Sequence, residues 1–315
     1  PGIAVPPGRA IAKALDAAGL SQRDLSQRIG ISEKHISQIV NGHAPITHDT
    51  ANGLALVLGG TISFWLNLEN NYQETKYRLD SQKRLLDEYP LAKTFPVKYL
   101  AENNFITPST KKDEIVSQLL QFFGVVSLAN VATVYGVAFR RNIAQNKSEH
   151  LSTWLRCGEV AAKSQELEEY SETALREATT AIRELTTRTS ESISTITQIL
   201  NSCGVAVVVL PYLTGSGVNG AVRWVGKNPV IQLSDRYKFN DIFWFTLFHE
   251  IGHVLLHRKK ELFLEFDTRD CHYSLKLEKE TDNFAACVLI PQKYFESFIA
   301  KKKFTTDAVQ NFAAN

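Results

Sequence analysis

The sequence predicts a multidomain protein, an all-α domain followed by an α+β domain. Three observations carry this reading. At 315 residues the chain is about twice the length that one ordinary core needs. Its first quarter holds short apolar-periodic segments punctuated by helix caps and glycines. From Gly204 the hydrophobic period changes from that of helices to that of strands, and after Leu233 it changes back. The expected divisions are 1–78 for the helical domain, 79–105 for a connector and 106–315 for the second domain. Within the second domain, 106–200 is a helical scaffold and 201–315 carries strands and the chemically dense helices.

Composition narrows the class without choosing a function. Hydrophobic residues at 44% and charged residues at 22% are ordinary for a globular chain, and a formal charge of +2 is too small to argue for nucleic acid by itself. Cys157, Cys203, Cys271 and Cys287 are scattered with no C-x-x-C, so they read as reduced and structural. No signal-like segment and no apolar run of membrane-spanning length occurs, which predicts a cytoplasmic protein with no membrane partner.

In chain order, Arg9 to Ala18 reads as a helix with Ile11, Leu15 and Ala18 inward, ended by Gly19. Ser21 caps a second helix through Ile29, Gly30-Ile31 turns, and Ser32 caps a third to Val40, closed by Asn41-Gly42. Short helices joined by a glycine turn form a helix-turn-helix layout. The segment SQRDLSQRIGISEKHISQIVNG resembles the XRE type of regulator, and APITHDTANGLALVLGGTISFWLNLENNY resembles its HigA-type antitoxin branch. The resemblance implies a third helix lying in the major groove of double-stranded operator DNA. Lys34, His35, Ser37 and Gln38, with Glu33, would then face bases, and Gln22, Arg23 and Asn41 would face phosphates. Over residues 1–50 the five cations Arg9, Lys13, Arg23, Arg28 and Lys34 oppose four anions, a net of 5 − 4 = +1. Phosphate neutralisation dominates DNA affinity, so so small a surplus predicts a homodimer that doubles the contacts. The competing reading is a helical module used only for protein contacts.

Tyr72 to Lys98 is charged, and Pro90 and Pro96 are expected to stop regular structure there. Lys111–Phe123, Val126–Arg141, Glu149–Ala162, Thr173–Leu185 and Ser190–Asn201 show helical periodicity and read as scaffold. Thr107-Pro108-Ser109 and Asn146-Lys147-Ser148 read as turns. Val205–Leu210, Gly220–Trp224 and Pro229–Leu233 read as strands, with Thr214 to Gly220 a glycine-rich loop. That loop lacks the Lys-Ser/Thr of a phosphate loop and opens no helix, which excludes nucleotide binding there.

Asn240 to His257, NDIFWFTLFHEIGHVLLH, reads as one buried helix carrying His249-Glu250-x-x-His253. Histidines four apart share a helix face, so both imidazoles can reach one metal ion at about 2.0–2.1 Å. Glu250 points roughly 100° away, free to take a proton from an attacking water. A buried helix with two satisfied histidines is the bland alternative; an acid in so apolar a helix is costly to bury without a task. A third ligand is required. His257 stands two turns beyond His249, about 12 Å along the axis, and the three-histidine pattern would need Gly and His where Leu256 and Lys259 stand. Glu278 and Asp282, four apart on a second helix from Leu277, suit a ligand and a carboxylate that accepts the outer ring N–H of a ligating histidine. Glu280 is the rival ligand.

HEIGH, then E-x-x-x-D and FAA-x-x-x-x-P, preceded by VIQLSDRYKFNDIFWFTLFHE, resembles the ImmA/IrrE family of metallo-endopeptidases. The resemblance runs from about Phe105 to the C-terminus and is strongest from Gly204 to Pro291. It departs at Ile290, where the family often has Met. It implies a zincin-like fold, zinc (Zn2+) on His249, His253 and Glu278, Glu250 as general base, and a repressor or antitoxin-like protein as substrate. VIQLS is expected to be the edge strand that pairs with an extended peptide, and Arg236 or Tyr237 to steady the oxyanion. The function expected is a DNA-binding regulator with a zinc-dependent endopeptidase domain. The alternative is an antitoxin-type or sensor regulator whose second domain binds a partner without turnover.

Overall fold

A computed structural model describes residues 3–135, 148–186, 193–235, 240–257, 263–266 and 275–313. It falls into two compact units, Pro1–Tyr89 and Pro90–Asn315. The first is helical: α1 (Gly8–Ala18), α2 (Gln22–Ile29), α3 (Glu33–Val40), α4 (His48–Leu58) and α5 (Ile62–Ala92), whose last residues lie beyond the division. Ser21 and Asp24 form a reciprocal capping box at the start of α2, and Ser32 accepts from the His35 amide at the start of α3. These bonds satisfy backbone donors that the first helical turn leaves orphaned. Between the two helices Gly30 takes φ 73°, a left-handed turn that a side chain would strain. Ile11, Leu15, Leu25, Ile36, Ile39, Leu54 and Trp65 close one core beneath them.

The break expected at Pro90 does not occur there. Helix α5 runs 31 residues with Pro90 inside it and ends two residues later. A proline so close to a helix end removes one backbone bond and terminates the helix instead of dividing it.

The second unit begins with α6 (Val97–Glu102), α7 (Lys112–Phe123), α8 (Ala129–Tyr135), α9 (Ser148–Ala162), α10 (Glu172–Leu185) and α11 (Ile193–Asn201). There follow β1 (Ala206–Leu210), β2 (Val218–Val225), β3 (Asn228–Ser234), α12 (Asn240–Leu256), β4 (Phe263–Phe266), α13 (Leu275–Leu289), α14 (Gln292–Ala300) and α15 (Thr306–Ala313). Positions 136–141 of one expected helix, 190–192 of another, Asn146-Lys147, Arg236, Tyr237 and Cys271 lie outside the described residues. Strand β2 starts at Val218, so the expected glycine loop is shorter than Thr214–Gly220, and β4 was not anticipated.

The sheet order is β1-β3-β2-β4, with β1 parallel to β3 and the other two pairings antiparallel. This corrects the expectation for VIQLS. Those residues belong to β3, which pairs on both sides, Val230 with Ala206 of β1 and with Arg223 of β2. Its composition is the reason, since Pro229 to Leu233 are all buried, as a central strand requires. Helix α12 lies on this sheet. Leu247, Phe248, Ile251 and Val254 share a core with Val205, Val207, Val222, Ile231 and Leu233, and with Leu175 and Ile182 of α10. Burying one such side chain fully is worth about 1.5–3 kcal/mol, so the site-bearing helix is anchored along most of its length.

Candidate metal centre

His249, Glu250 and His253 sit in the middle of α12, with His249 and His253 each 2% exposed and Glu250 at 0%. Helix α13 crosses beside them. The approach is close because Gly252 has no side chain: a Cβ there would lie 3.0 Å from Phe284 Cδ1 and 3.2 Å from Thr281 Cγ2. The glycine of HEIGH is thus where the two helices meet. Gly220 of β2 plays the same part on the other side, since a Cβ there would overlap Glu250 Oε1.

This packing brings Glu278 to the histidines. His249 Nε2 is 3.0 Å from His253 Nε2 and 3.2 Å from Glu278 Oε2, and His253 Nε2 is 3.7 Å from Glu278 Oε1. Ligands held tetrahedrally at 2.0–2.1 Å from one zinc ion stand about 3.3 Å from each other. The three donor atoms therefore already have the mutual spacing of a tetrahedral site, and two imidazoles with one carboxylate are a donor set that zinc takes. The fit is good without rearrangement. Among the described residues this is the one group of three His, Cys, Asp or Glu side chains close enough to share an ion.

The electrostatics agree. Burial would raise the Glu278 carboxyl, but hydrogen bonding with His249 and His253 and their nearby charge outweigh it and hold the group at about 2. Burial lowers His253, which favours the neutral imidazole that ligates metal. Asp282 Oδ1 stands 3.0 Å from His249 Nδ1, in reach of the ring N–H that a ligating histidine presents on its far side. Glu280 is turned away from the histidine pair, with Oε2 3.5 Å from His257 Nε2.

One residue of this cluster, Thr281, went unremarked in the sequence, and another, His257, was weighed there only as a ligand and set aside. Thr281, fully buried, has its hydroxyl 3.4 Å from His249 Nε2, and His257 Nδ1 lies 3.0 Å from His253 Nδ1. The spacing of His253 and His257 is again four residues, so the rule that paired the first two histidines also flags the third.

In the helical unit, Glu33, Lys34 and Gln38 on α3 are exposed beside the buried Ile36 and Ile39, while His35 and Ser37 are half-buried. Arg23 is exposed and Gln22 half-buried. Asn41 Nδ2 donates to the Ser37 carbonyl oxygen at 2.8 Å, which commits one of its donors to closing α3.

Comparison with known proteins follows this division. A family described as IrrE N-terminal-like domain, Peptidase M78, matches residues 204–313, and one described as Helix-turn-helix matches residues 11–65. The uncharacterized HTH-type transcriptional regulator YddM of Escherichia coli (strain K12) is 33% identical over 64 residues, 20% of this chain and 68% of that protein. Two solved structures are similar in part. An addiction module antidote protein of the HigA family from Coxiella burnetii is 32% identical, covering 28% of this chain and 96% of that one, with a TM-score of 0.26. A putative antidote protein of a plasmid maintenance system from Nostoc punctiforme is 32% identical, covering 25% and 87%, with a TM-score of 0.24. The chain belongs, over its first unit, to the helix-turn-helix regulators of the XRE type, and over residues 204–313 it carries an IrrE N-terminal-like domain of the M78 peptidase family.

Proposed function

We propose that the chain is a DNA-binding transcriptional regulator whose second domain is a zinc-dependent endopeptidase acting on a repressor or antitoxin-like protein. The observation that carries the enzymatic half is the spacing of His249 Nε2, His253 Nε2 and the Glu278 carboxylate, with the buried Glu250 carboxylate on the same helix. His249, His253 and Glu278 would hold the ion. Zinc, when bound, supplies a Lewis acid that brings the pKa of water toward neutrality and polarises a peptide carbonyl. Glu250 then accepts the proton of the attacking water and returns it to the leaving amine. Its burial against Gly220 keeps that proton out of bulk solvent. Asp282 fixes the ring of His249 so that Nε2 faces the ion. An extended peptide would pair with β4, which ends the sheet, in place of the VIQLS segment. The helix-turn-helix domain implies DNA binding, and Lys34 and Gln38 are the exposed polar side chains of α3 best supported as contacts, with His35, Ser37, Gln22, Arg23 and Asn41 around them.

The test is Glu250→Gln in the full chain. All three ligands are untouched, so zinc content should equal that of wild type while peptide cleavage falls by at least about a hundredfold, the size of a general-base contribution. The variant should retain substrate, and a protein enriched on it over wild type and cut by wild type with zinc is the target. A wild type that holds zinc, cuts no protein and shares every cellular phenotype with Glu250→Gln would replace the enzyme by the sensor or antitoxin-type reading.

A further inference from the structure

His253 presents Nε2 to His249 and Glu278, so its other ring nitrogen faces away from them. That Nδ1 is 3.0 Å from Nδ1 of His257, one turn on and just past the end of α12, and His257 Nε2 is 3.5 Å from Oε2 of Glu280 on α13. The His253 and His257 side chains are 2% and 3% exposed, whereas Glu280 reaches solvent at 43%.

Counting protons along this line fixes both rings. A nitrogen that ligates a metal carries no proton, so a ligating His253 has its one proton on Nδ1. Two ring N–H groups cannot occupy one hydrogen bond, so His257 Nδ1 must be bare and accept. The proton of a neutral His257 is then on Nε2, the atom that faces the Glu280 carboxylate. Every position in the row is determined by the one before it.

We propose that His257 is a positioning residue for the metal site, holding His253 in the tautomer and ring orientation that ligate, with the Glu280 carboxylate, 3.5 Å from its Nε2, as the charged group behind it. This rests on the zinc reading above. The two ligating histidines are thus supported differently, His249 by a carboxylate directly and His253 by an imidazole with a carboxylate behind it. A neutral acceptor makes a weaker bond than a charged one, so His249 is the more basic ligand of the pair. Glu280 acts at the end of this row and does not bind the ion.

The proposal is tested on the full chain by zinc affinity, measured in competition with a chromogenic chelator, and by long-range 1H–15N correlation spectra of the histidine rings. Zinc-loaded wild type should show His253 protonated on Nδ1 and His257 on Nε2. His257→Phe keeps a ring in place without an acceptor and should weaken zinc binding by about 10- to 100-fold, the usual effect of removing such a partner. His257→Asn, whose amide oxygen can accept near the lost Nδ1, should recover most of that loss. A His257→Phe variant that binds zinc as tightly as wild type, or wild-type spectra with His257 protonated on Nδ1, would overturn the proposal while leaving the zinc site standing. The spectra need no variant, so a His257→Phe chain that fails to fold does not remove the test. A wild type that binds no zinc overturns both readings together.

Discussion

Glu278 and Glu280 are two residues apart on α13, and their surroundings separate them. Glu278 lies against both Nε2 atoms, while Glu280 meets His257 Nε2 and, at 3.9 Å, Lys276 Nζ. Glu278→Ala should therefore abolish stoichiometric zinc in a metal assay, because a two-ligand site is far weaker than a three-ligand one. Glu280→Ala should keep the zinc stoichiometric at micromolar protein; the opposite result would make Glu280 the ligand. Chelation of wild type should lower Tm by an amount that grows with the logarithm of the zinc affinity, since an ion bound only by the native state stabilises it.

Helices and strands carry the site through a few close contacts, and two of these can be tested. Gly252 lets α12 and α13 approach, so Gly252→Val should cost about 1–3 kcal/mol of stability by overpacking against Thr281 and Phe284. The same variant should weaken zinc binding, because Glu278 rides on α13; thermal melts and a zinc titration would both have to move. Strand β2, which places Gly220 behind Glu250, is tied to α9 by Glu159. Its carboxylate is 2.7 Å from Arg156 Nη1, 2.9 Å from Lys163 Nζ and 2.9 Å from Arg223 Nη2. Burial pushes that carboxyl up, but hydrogen bonds from Arg156 and Lys163 and the Arg223 charge prevail and hold it at about 2, against an ordinary 4.5. A carboxyl lowered in the native state contributes stability that is present above the unfolded value and is lost as pH falls from 4.5 toward 2. Glu159→Gln should thus cost about 1–3 kcal/mol at pH 7, with the gap to wild type closing across that window in urea titrations.

At the scale of the whole molecule, the chain couples a DNA-reading unit to a peptidase-family unit, and no helix among the described residues is long and apolar enough to cross a membrane. The small net charge of the first fifty residues makes each exposed cation count. Lys34→Ala should lower affinity for DNA from the protein's own promoter; if Lys34 meets a phosphate instead of a base edge, the substitution should also reduce the slope of log K against log salt by about one. Gln38→Ala should instead reduce sequence preference with little change in that slope. Both are read by fluorescence anisotropy at several salt concentrations; a wild type without salt-dependent binding would remove DNA from the account. Glu250→Gln should bind DNA as wild type does, since Glu250 and α3 lie in different units.

The sequence by itself determined what depends on local order. Ser21, Ser32, Gly19 and Gly30 mark the first helices because caps and left-handed turns are chosen by neighbouring residues. His249 and His253 were legible because a helix converts a spacing of four into one face, and Glu250 because an acid in so apolar a helix is costly to bury without a task. Only the tertiary structure decided what depends on distant segments. Whether a strand is central or at an edge depends on its partners, so β3 misread as an edge strand and the four-residue β4 escaped notice. Which of Glu278 and Glu280 lies against the histidine pair depends on how α13 is rotated against α12, and no pattern within either helix sets that angle. The bare Cα of Gly252 and the row from His253 through His257 to Glu280 exist only once the two helices are packed.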